Sequence, residues 1–190
     1  MKPIFSVHAG EYLTGSHIEK EFRHVNLWVP AKDTGIDLLV SDRANRKTVT
    51  LQVKFSKDFL VAHMQRQAPE FQQKLRACGW WTLNSEKVRR SPADYWVFVL
   101  QGFANKSVDY VVIPPRELLR RLHGIHHEKP QMWQVYLWVT KTERCWATRD
   151  LTKGDRLRIA GGSYSNVSRD FSKYLNAWDA VERLNRSWRD

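Results

Sequence analysis

Four polar side chains that could carry out chemistry fall in or near two short apolar segments of the chain. Asp37 lies in IDLLV, and Gln52 and Lys54 lie in TVTLQVKF, which follows a charged turn. Glu11 lies upstream, in a segment with helical spacing. Two carboxylates and an amide oxygen are ligands that hard divalent cations such as Mg²⁺ accept, together with water and a substrate phosphate. A nearby ammonium group can hold an attacking water or stabilise charge on a phosphoryl group. This set of groups therefore suits phosphodiester hydrolysis.

The apolar pattern around these residues predicts the elements that would bring them together. In TVTLQVKF, apolar and polar residues alternate strictly, which predicts a β-strand with Gln52 and Lys54 on its polar face. Asp37 lies early in a second predicted strand and shares a face with Leu39. A short turn joins the two strands, so we expect a hairpin whose polar faces lie side by side. Apolar or small residues recur four, seven and eleven residues after Glu11, which places Glu11 on the core-facing side of a helix.

The wider pattern predicts one compact α/β domain. Up to residue 101 the predicted order is helix, strand, strand, strand, helix, strand. The second helix covers residues 59–79, with a break or a new start at Pro69 and with Gly79 as its stop. A short strand is expected at residues 80–83, and DYWVFVLQGF, apolar on both faces, is expected to be a central strand. Later residues predict a strand in VDYVVIPP, a helix from Pro115, a hairpin of MWQVYLWVT with RCWAT, and an amphipathic helix over residues 168–188. AGGSYSN is interpreted as a turn.

The charge balance favours a polyanionic partner. The chain carries 31 Lys and Arg against 20 Asp and Glu, a formal net charge of +11. A domain with this excess commonly binds nucleic acid. Arg43, Arg46 and Lys47 are the first candidates for phosphate contacts, because we expect their turn to lie beside the polar cluster. Further basic clusters, each of which could equally be a solvated surface, are Lys87, Arg89 and Arg90; Arg116, Arg120 and Arg121; and Lys153, Arg156 and Arg158.

Several other kinds of site find no support in the sequence. Cys78 and Cys145 match neither a zinc-ligand spacing nor a disulfide framework, so we expect reduced thiols. The stretch HGIHH, residues 123–127, lacks the glutamate that a zinc-protease motif requires between its histidines. The first residues lack the apolar stretch of a signal peptide, and no run approaches the roughly 20 apolar residues of a membrane helix. We therefore expect a cytoplasmic protein with no membrane association.

The predicted hairpin resembles the PD-(D/E)xK nuclease superfamily, which includes many restriction enzymes and archaeal Holliday-junction resolvases. In that family an Asp begins one strand, and an acid, or sometimes Gln, stands two residues before a Lys on the next. Asp37, Gln52 and Lys54 match this pattern, and Glu11 matches the Glu that often comes from the first helix. There are two departures: Ile36 replaces the Pro before the Asp, and Gln52 is neutral where an acid is usual.

The resemblance implies a fold and a function. The fold is a restriction endonuclease-like αβββαβ core with a mixed central sheet flanked by helices, plus extra C-terminal strands and a C-terminal helix. It implies a single nuclease-like domain over residues 1–190, with the core in residues 1–101 and a family-specific extension in residues 102–190. The function is metal-dependent endonucleolytic cleavage of DNA. Family members often act as dimers, so a homodimer is one expectation.

The resemblance also assigns roles to residues. Glu11, Asp37, Gln52 and the backbone carbonyl of Val53 would hold Mg²⁺ or Mn²⁺, and Lys54 would orient the attacking water. From its position alone, another candidate contact to a phosphate or to Glu11 is His8, three residues earlier on the same side of the helix. Two other readings stay open. One is a catalytically inert nucleic-acid-binding module on the same fold, and the other is an interaction subunit that uses the Trp-rich second half of the chain.

Overall fold

The structure is a computed structural model that describes residues 9–32, 34–56, 73–102, 107–126 and 131–187. The helices are α1 (Ala9–Glu21), α2 (Ser85–Arg89), α3 (Pro115–Ile125), α4 (Lys153–Gly161) and α5 (Asp179–Arg186), and Ser172–Tyr174 forms a 3-10 helix. The strands are β1 (Val25–Trp28), β2 (Leu38–Asp42), β3 (Thr48–Ser56), β4 (Leu75–Asn84), β5 (Tyr95–Gly102), β6 (Ser107–Ile113), β7 (Met132–Thr140) and β8 (Cys145–Ala147). None of the helices in these ranges is long and apolar enough to cross a membrane.

Two sheets organise the described part of the chain. The larger has the strand order β1-β2-β3-β5-β6, and the smaller has the order β4-β7-β8. Strands β3 and β5 run parallel, whereas every other neighbouring pair is antiparallel. A parallel pair needs a long crossover connection, and here it spans residues 57–94, including β4 and α2. The expected α/β class with a mixed sheet flanked by helices is therefore confirmed.

Strand β5 separates two apolar cores. Phe98 and Leu100 belong to the core between the two sheets, which also holds Trp133 of β7. Val97 and Val99 belong to the core on the opposite face of the larger sheet, under α1 and α5. All four of these β5 side chains are fully buried. The prediction of a central strand that is apolar on both faces is confirmed, and burial on both sides explains why its residues lack the alternation of a half-exposed strand.

The hairpin that carries the polar cluster forms as the alternation predicted. Strand β2 pairs with β3 in an antiparallel register that sets Leu38 opposite Leu51 and Val40 opposite Val49. Leu38, Val40 and Leu51 are buried, so the apolar face of the hairpin packs into the core beneath α1. The strands at β1 and β6, the helix that begins at Pro115 and the β7–β8 hairpin are confirmed as well.

The prediction of a helix that stops at Gly79 is wrong over residues 75–79. These residues lie in β4 and pair with β7, while residues 57–72 lie outside the described ranges. From Gly79 onward burial in β4 alternates with a period of two, since Trp81 and Leu83 are buried whereas Trp80 and Thr82 are exposed. Gly79 serves a close approach inside the strand, because a Cβ atom there would collide with the Trp81 ring.

The single helix predicted over residues 168–188 is also wrong. The segment forms the 3-10 helix and then α5, and between them Asn176 adopts a left-handed φ of 50°. The Asn176 N–H donates to the Tyr110 carbonyl (2.6 Å), and its side-chain oxygen accepts the Tyr110 N–H (2.9 Å). Strand β6 lies at the end of the larger sheet, so these bonds satisfy backbone groups on its outer edge. We call these two hydrogen bonds the Asn176 clamp. Apolar periodicity alone does not predict them.

Helix α4 was not predicted, although its two ends have recognisable signals. The Thr152 side chain caps the helix by accepting the Asp155 N–H (3.1 Å), and Gly162 ends it with a φ of 79°. The helix extends two residues into the AGGSYSN segment, which was interpreted as a turn. The apolar pattern did not predict this helix, because Ile159 is its one buried residue and the helix therefore has no apolar stripe.

Substitution of Asn176 tests the clamp on β6. We expect Asn176→Gly to lower the free energy of unfolding by about 1–2 kcal/mol, because the Tyr110 N–H loses its acceptor. Asn176→Ala should cost about 1 kcal/mol more, because alanine is strained at a left-handed φ. Urea unfolding of both variants measures these differences. Wild-type midpoints for both would show that the clamp contributes nothing.

Candidate functional site

Asp37 directly precedes the start of β2, at the point beyond which this edge of β3 has no partner strand among the described residues. Its backbone N–H donates to the Leu51 carbonyl (2.8 Å), which extends the hairpin ladder by one bond. Its carboxylate Oδ2 then accepts two hydrogen bonds, from Gln52 Nε2 (2.9 Å) and from the Val53 N–H (2.7 Å). The side chain of Asp37 therefore replaces the missing strand partner of Val53. Among the described residues, none donates to the second carboxylate oxygen, Oδ1.

The same geometry directs the Val53 carbonyl to this edge of β3. In an extended strand, the N–H and C=O groups of one residue point to the same side. Because the Val53 N–H reaches Asp37, its carbonyl oxygen faces the space beyond the end of β2. The other edge of β3 is occupied by β5, with Val53 opposite Val97. The expectation that this carbonyl is available as a ligand is compatible with the pairing.

Lys54 lies on the face of β3 that is turned away from the core under α1 and α5, to which Leu51 and Val53 belong. It is half-buried, and its Nζ lies 5.3 Å from the centre of the Trp96 ring. Trp96 is itself fixed, because its indole N–H donates to Ser91 Oγ (2.8 Å) and 3% of its surface is exposed. An ammonium group over an indole face is attracted by the ring quadrupole. Trp96 is the register partner of Gln52, so the contact places the Lys54 ammonium on the same face of the sheet as Gln52.

Glu11 reaches the site because α1 packs very close to β3. Gly10 permits this approach: a Cβ atom at residue 10 would lie 2.7 Å from Phe55 Cβ and 3.2 Å from Val53 Cγ1. Helix α1 begins at Ala9, so Glu11 is in its first turn, where the helix dipole favours a negative charge. The Glu11 side chain is half-buried and faces the same space as Asp37.

A cavity of about 850 Å³ unites these groups. Glu11, Asp37, Gln52, Val53 and Lys54 all line it, so the structure brings together the five residues that the sequence assigned to one site. The opposite wall comes from the end of β4, from α2 and from the first residue of β7. Its contributors are Thr82, Leu83, Asn84, Glu86, Lys87, Arg90 and Met132. His8 lies outside the described residues.

The charges around the cavity balance. Lys54, Lys87 and Arg90 oppose Glu11, Asp37 and Glu86 among the lining residues, three charges of each sign. Glu86 forms ion pairs with Arg89 and, at 2.5 Å, with Arg90. The hydrogen bond from the Arg89 guanidinium holds the pKa of Glu86 below its ordinary value. A divalent cation would make the cavity positive overall, and a phosphate would then be attracted to it.

The basic turn of the hairpin lies far from the cavity. Arg43, Arg46 and Lys47 follow Asp42, whose carboxylate accepts the N–H groups of Arg46 (2.7 Å) and Lys47 (3.3 Å). Asp42 is five strand residues beyond Asp37, which corresponds to roughly 17 Å. The expectation that this turn lies beside the site is therefore wrong, because Asp37 is at the open end of the hairpin. DNA binding by the three residues stays a prediction.

The basic side chains that do reach the cavity come from a different segment. Lys87 and Arg90 belong to a cluster that the sequence shows, but nothing local connects it to Asp37. The connection is made by β4 and α2, which carry residues 84–90 across to the hairpin. Asn84 Oδ1 accepts the Lys87 N–H (3.0 Å) and so starts α2 at the cavity wall. This cap is the local signal that could have placed a helix start there.

The donor atoms fit a hard divalent cation with one adjustment. No group of three His, Cys, Asp or Glu side chains suited to a metal occurs in the described ranges. A cation here would rest on the carboxylates of Glu11 and Asp37 and on neutral oxygens from Gln52 and Val53. Gln52 now presents its Nε2 to Asp37. Rotation of the amide by half a turn would bring its oxygen to the same place, since the two amide orientations have nearly the same shape.

A pair of glycine substitutions tests the close approach of α1. Gly10→Ala should lower the free energy of unfolding by about 1–3 kcal/mol, because its methyl group would overlap the β3 backbone region. Gly15→Ala, on the same helix, is the control: its methyl would meet a flexible end of Leu27 at 2.9 Å, and alanine favours helix. Thermal unfolding measures both. Equal effects would mean that Gly10 does not set the position of Glu11.

Comparison of the chain with models of protein families, with curated proteins and with solved structures gave no match. The resemblance to the PD-(D/E)xK nucleases therefore depends only on the residues of the candidate site and on their arrangement. What the arrangement provides is a cavity at an open sheet edge, with two carboxylates, an amide, a backbone carbonyl and a lysine on its walls.

Proposed function

We propose that this protein is a metal-dependent endonuclease of the PD-(D/E)xK type that hydrolyses phosphodiester bonds in DNA. One observation carries the proposal: Glu11, Asp37, Gln52, Val53 and Lys54 line one cavity. Glu11 belongs to α1, Asp37 directly precedes β2, and the other three residues belong to β3. Strand β1 lies between Glu11 and Asp37 in the chain, and the β2–β3 turn lies between Asp37 and Gln52. A set of unrelated surface residues would not be expected to converge in this way.

The topology supports the finer proposal of a restriction endonuclease-like αβββαβ core. Helix α1 is followed by the antiparallel strands β1, β2 and β3, and the next strand of the same sheet, β5, is parallel to β3. The part of the second predicted helix that precedes residue 73 lies outside the described ranges. Strand β4 and helix α2 are then additions to the connection before β5, and the elements after β5 form the extension of a single nuclease-like domain.

Each residue of the site has a role in the proposed reaction. Glu11, Asp37, the Gln52 amide and the Val53 carbonyl would hold Mg²⁺ or Mn²⁺. When bound, the cation supplies a Lewis acid that neutralises charge on the scissile phosphate and lowers the pKa of water. Lys54, held over Trp96, positions the attacking water and stabilises negative charge as it develops.

The opposite wall of the cavity provides the basic side chains for substrate binding in this proposal. Lys87 and Arg90 offer cationic contacts to phosphates on either side of the scissile bond. The net charge of +11 adds a general attraction for DNA. Cys78 and Cys145 are buried thiols, which fits a reducing compartment such as the cytoplasm. A homodimer, common among the nucleases that the site resembles, belongs to the same proposal.

A catalytically inert nucleic-acid-binding module is the second candidate. The observation that favours it is the hydrogen bond from Gln52 Nε2 to Asp37 Oδ2. This bond satisfies the carboxylate without a cation, whereas an acid at residue 52 would repel Asp37 and demand one. The two candidates differ in whether binding of DNA is accompanied by metal-dependent cleavage.

Removal of the Lys54 ammonium tests catalysis. We expect Lys54→Ala to slow cleavage of plasmid, linear, branched or single-stranded DNA in Mg²⁺ or Mn²⁺ by about 100-fold or more, the usual cost of losing a transition-state contact. EDTA should abolish cleavage by the wild type. Lys20→Ala is the control, because this lysine on α1 is 81% exposed. Equal rates for Lys54→Ala and the wild type would contradict the role.

Introduction of an acid at residue 52 tests metal binding independently of catalysis. In EDTA we expect Gln52→Glu to lower the free energy of unfolding by about 1–2 kcal/mol, because it replaces a hydrogen bond with repulsion of Asp37. Saturating Mn²⁺ should reduce or reverse this difference, because the variant adds a negative ligand. Denaturant unfolding with and without Mn²⁺ measures the effect. A difference that Mn²⁺ leaves unchanged would show that no cation binds between these side chains.

A further inference from the structure

The turn that joins β2 to β3, residues 43–47, presents three cations to solvent, and we call it the basic turn. Arg43, Arg46 and Lys47 are all exposed, and no carboxylate of the described residues forms an ion pair with any of them. Elsewhere in these ranges many exposed cations have an acidic neighbour, as Arg186 has Glu182 at 2.9 Å. The basic turn therefore offers three cationic groups that are available to an anionic ligand.

Hydrogen bonds fix the backbone of the basic turn. The Asp42 carboxylate accepts the N–H groups of Arg46 (2.7 Å) and Lys47 (3.3 Å), so the backbone uses this acid and the cationic side chains do not. Asn45 adopts a left-handed φ of 57°, and its N–H donates to the Asp42 carbonyl (2.9 Å). The side-chain amide of Asn26, on β1, donates to Asn45 Oδ1 (2.8 Å). A backbone that is already ordered lowers the entropy lost when the three cations meet a ligand.

The basic turn lies at a set distance from the candidate site. Asp42 is five strand residues from Asp37, or roughly 17 Å. Between these two residues, β2 is paired with β3 on one edge and with β1 on the other. Paired strands hold their length, so a ligand that touches both the cavity and the basic turn must itself extend over this distance.

The face of β3 between the two places is acidic in its middle. Thr50 lies on the same face as Gln52 and Lys54, which line the cavity. The Thr50 N–H and hydroxyl both donate to Asp94 Oδ2 (2.8 Å each), and Asp94 is exposed. Phosphates are therefore attracted at the two ends of this path and repelled between them. A double helix fits such a pattern, because a groove separates the backbones of its two strands.

We propose that the basic turn anchors the backbone of duplex DNA about five base pairs away from the phosphate that reacts in the cavity. This inference rests on the proposed nuclease function and names its substrate class as duplex DNA that extends past the cut. Nucleotides of one strand lie about 3.4 Å apart along the axis, so roughly 17 Å corresponds to about five of them. A duplex is stiff over this length, since its persistence length is about 150 base pairs. Contacts to phosphates position the duplex and do not depend on its sequence.

The first test is fluorescence anisotropy of a labelled duplex of about 20 base pairs in EDTA, over a range of KCl concentrations. The combined variant Arg43→Gln, Arg46→Gln and Lys47→Gln removes the three charges and leaves the backbone donors of Asp42 in place. Each lost phosphate contact reduces the slope of log K against log[salt] by about 0.9. We therefore expect a slope that is shallower by about two to three, and binding about 10-fold or more weaker near 0.1 M KCl.

The control variant removes three charges elsewhere. Arg116, Lys141 and Lys153 are also exposed and have no ion pair among the described residues, but they lie in α3, directly after β7 and in α4, and none of these elements pairs with the hairpin. Replacing all three with Gln changes the net charge equally and should leave most of the slope in place. Thermal unfolding checks that both variants fold. Equal slopes for the two variants, or a wild-type slope for the basic-turn variant, would overturn the inference.

The second test maps where the wild type cuts an end-labelled duplex in Mn²⁺. An anchored duplex must continue for at least about five base pairs on one side of the cut, so cuts closer than that to an end should be depleted on that side. The basic-turn variant should lose this depletion, and the control variant should keep it. Uniform cutting up to both ends by the wild type would overturn the anchor and leave the nuclease proposal intact. Binding that depends on the basic turn, without cleavage of any DNA, would defeat the nuclease proposal and leave the DNA contact.

Discussion

The candidate site depends on one hydrogen bond, from the Val53 N–H to the Asp37 carboxylate. Strand β2 begins only at Leu38, which pairs with Leu51, whereas β3 continues to Ser56, so this edge of β3 has no partner strand beyond Leu51 among the described residues. A buried backbone N–H without an acceptor is costly. Asp37 supplies the acceptor, and in doing so it keeps the edge open instead of closed by another strand. The cavity occupies the space that this open edge leaves.

The same bond fixes the charge pattern of the site. A carboxylate held at the edge of β3 needs compensation, and the Gln52 amide provides part of it. A glutamine in this place allows the site to be stable in two conditions. Its amide nitrogen can face Asp37, or its oxygen can face a cation that Asp37 also binds. An acid would be stable only in the second condition. The neutral side chain therefore lowers the affinity expected for a cation, and leaves more of it to Glu11 and Asp37.

Much of the site could be predicted from local pattern, because period-two alternation fixes which side chains share a strand face. This is why the shared face of Gln52 and Lys54 followed from sequence, together with the β2–β3 hairpin. Asp37, predicted to lie early in the second strand, instead directly precedes β2. The wrong expectation for the Arg43–Lys47 turn came from neglect of strand direction, since Asp37 is at the end of the hairpin opposite to its turn. The sequence could not predict the second wall. Lys87 and Arg90 are brought to Asp37 by long-range pairing of β4 with β7, and the interpretation of Gly79 as a helix stop concealed that strand. The break at Asn176 was hidden for a similar reason, because its cause is the backbone of β6 and not the segment itself.

In the proposed reaction, the Asp37 carboxylate binds the cation on which cleavage depends. The most direct measurement is the rate of DNA cleavage as a function of Mn²⁺ concentration, for the wild type and for Asp37→Asn. For the wild type we expect the cleavage rate to rise with Mn²⁺ and to saturate. For Asp37→Asn we expect no cleavage, or saturation only at an Mn²⁺ concentration at least about tenfold higher, because one negative ligand is lost. A wild-type rate that does not respond to Mn²⁺, or identical curves for the two proteins, would contradict this role.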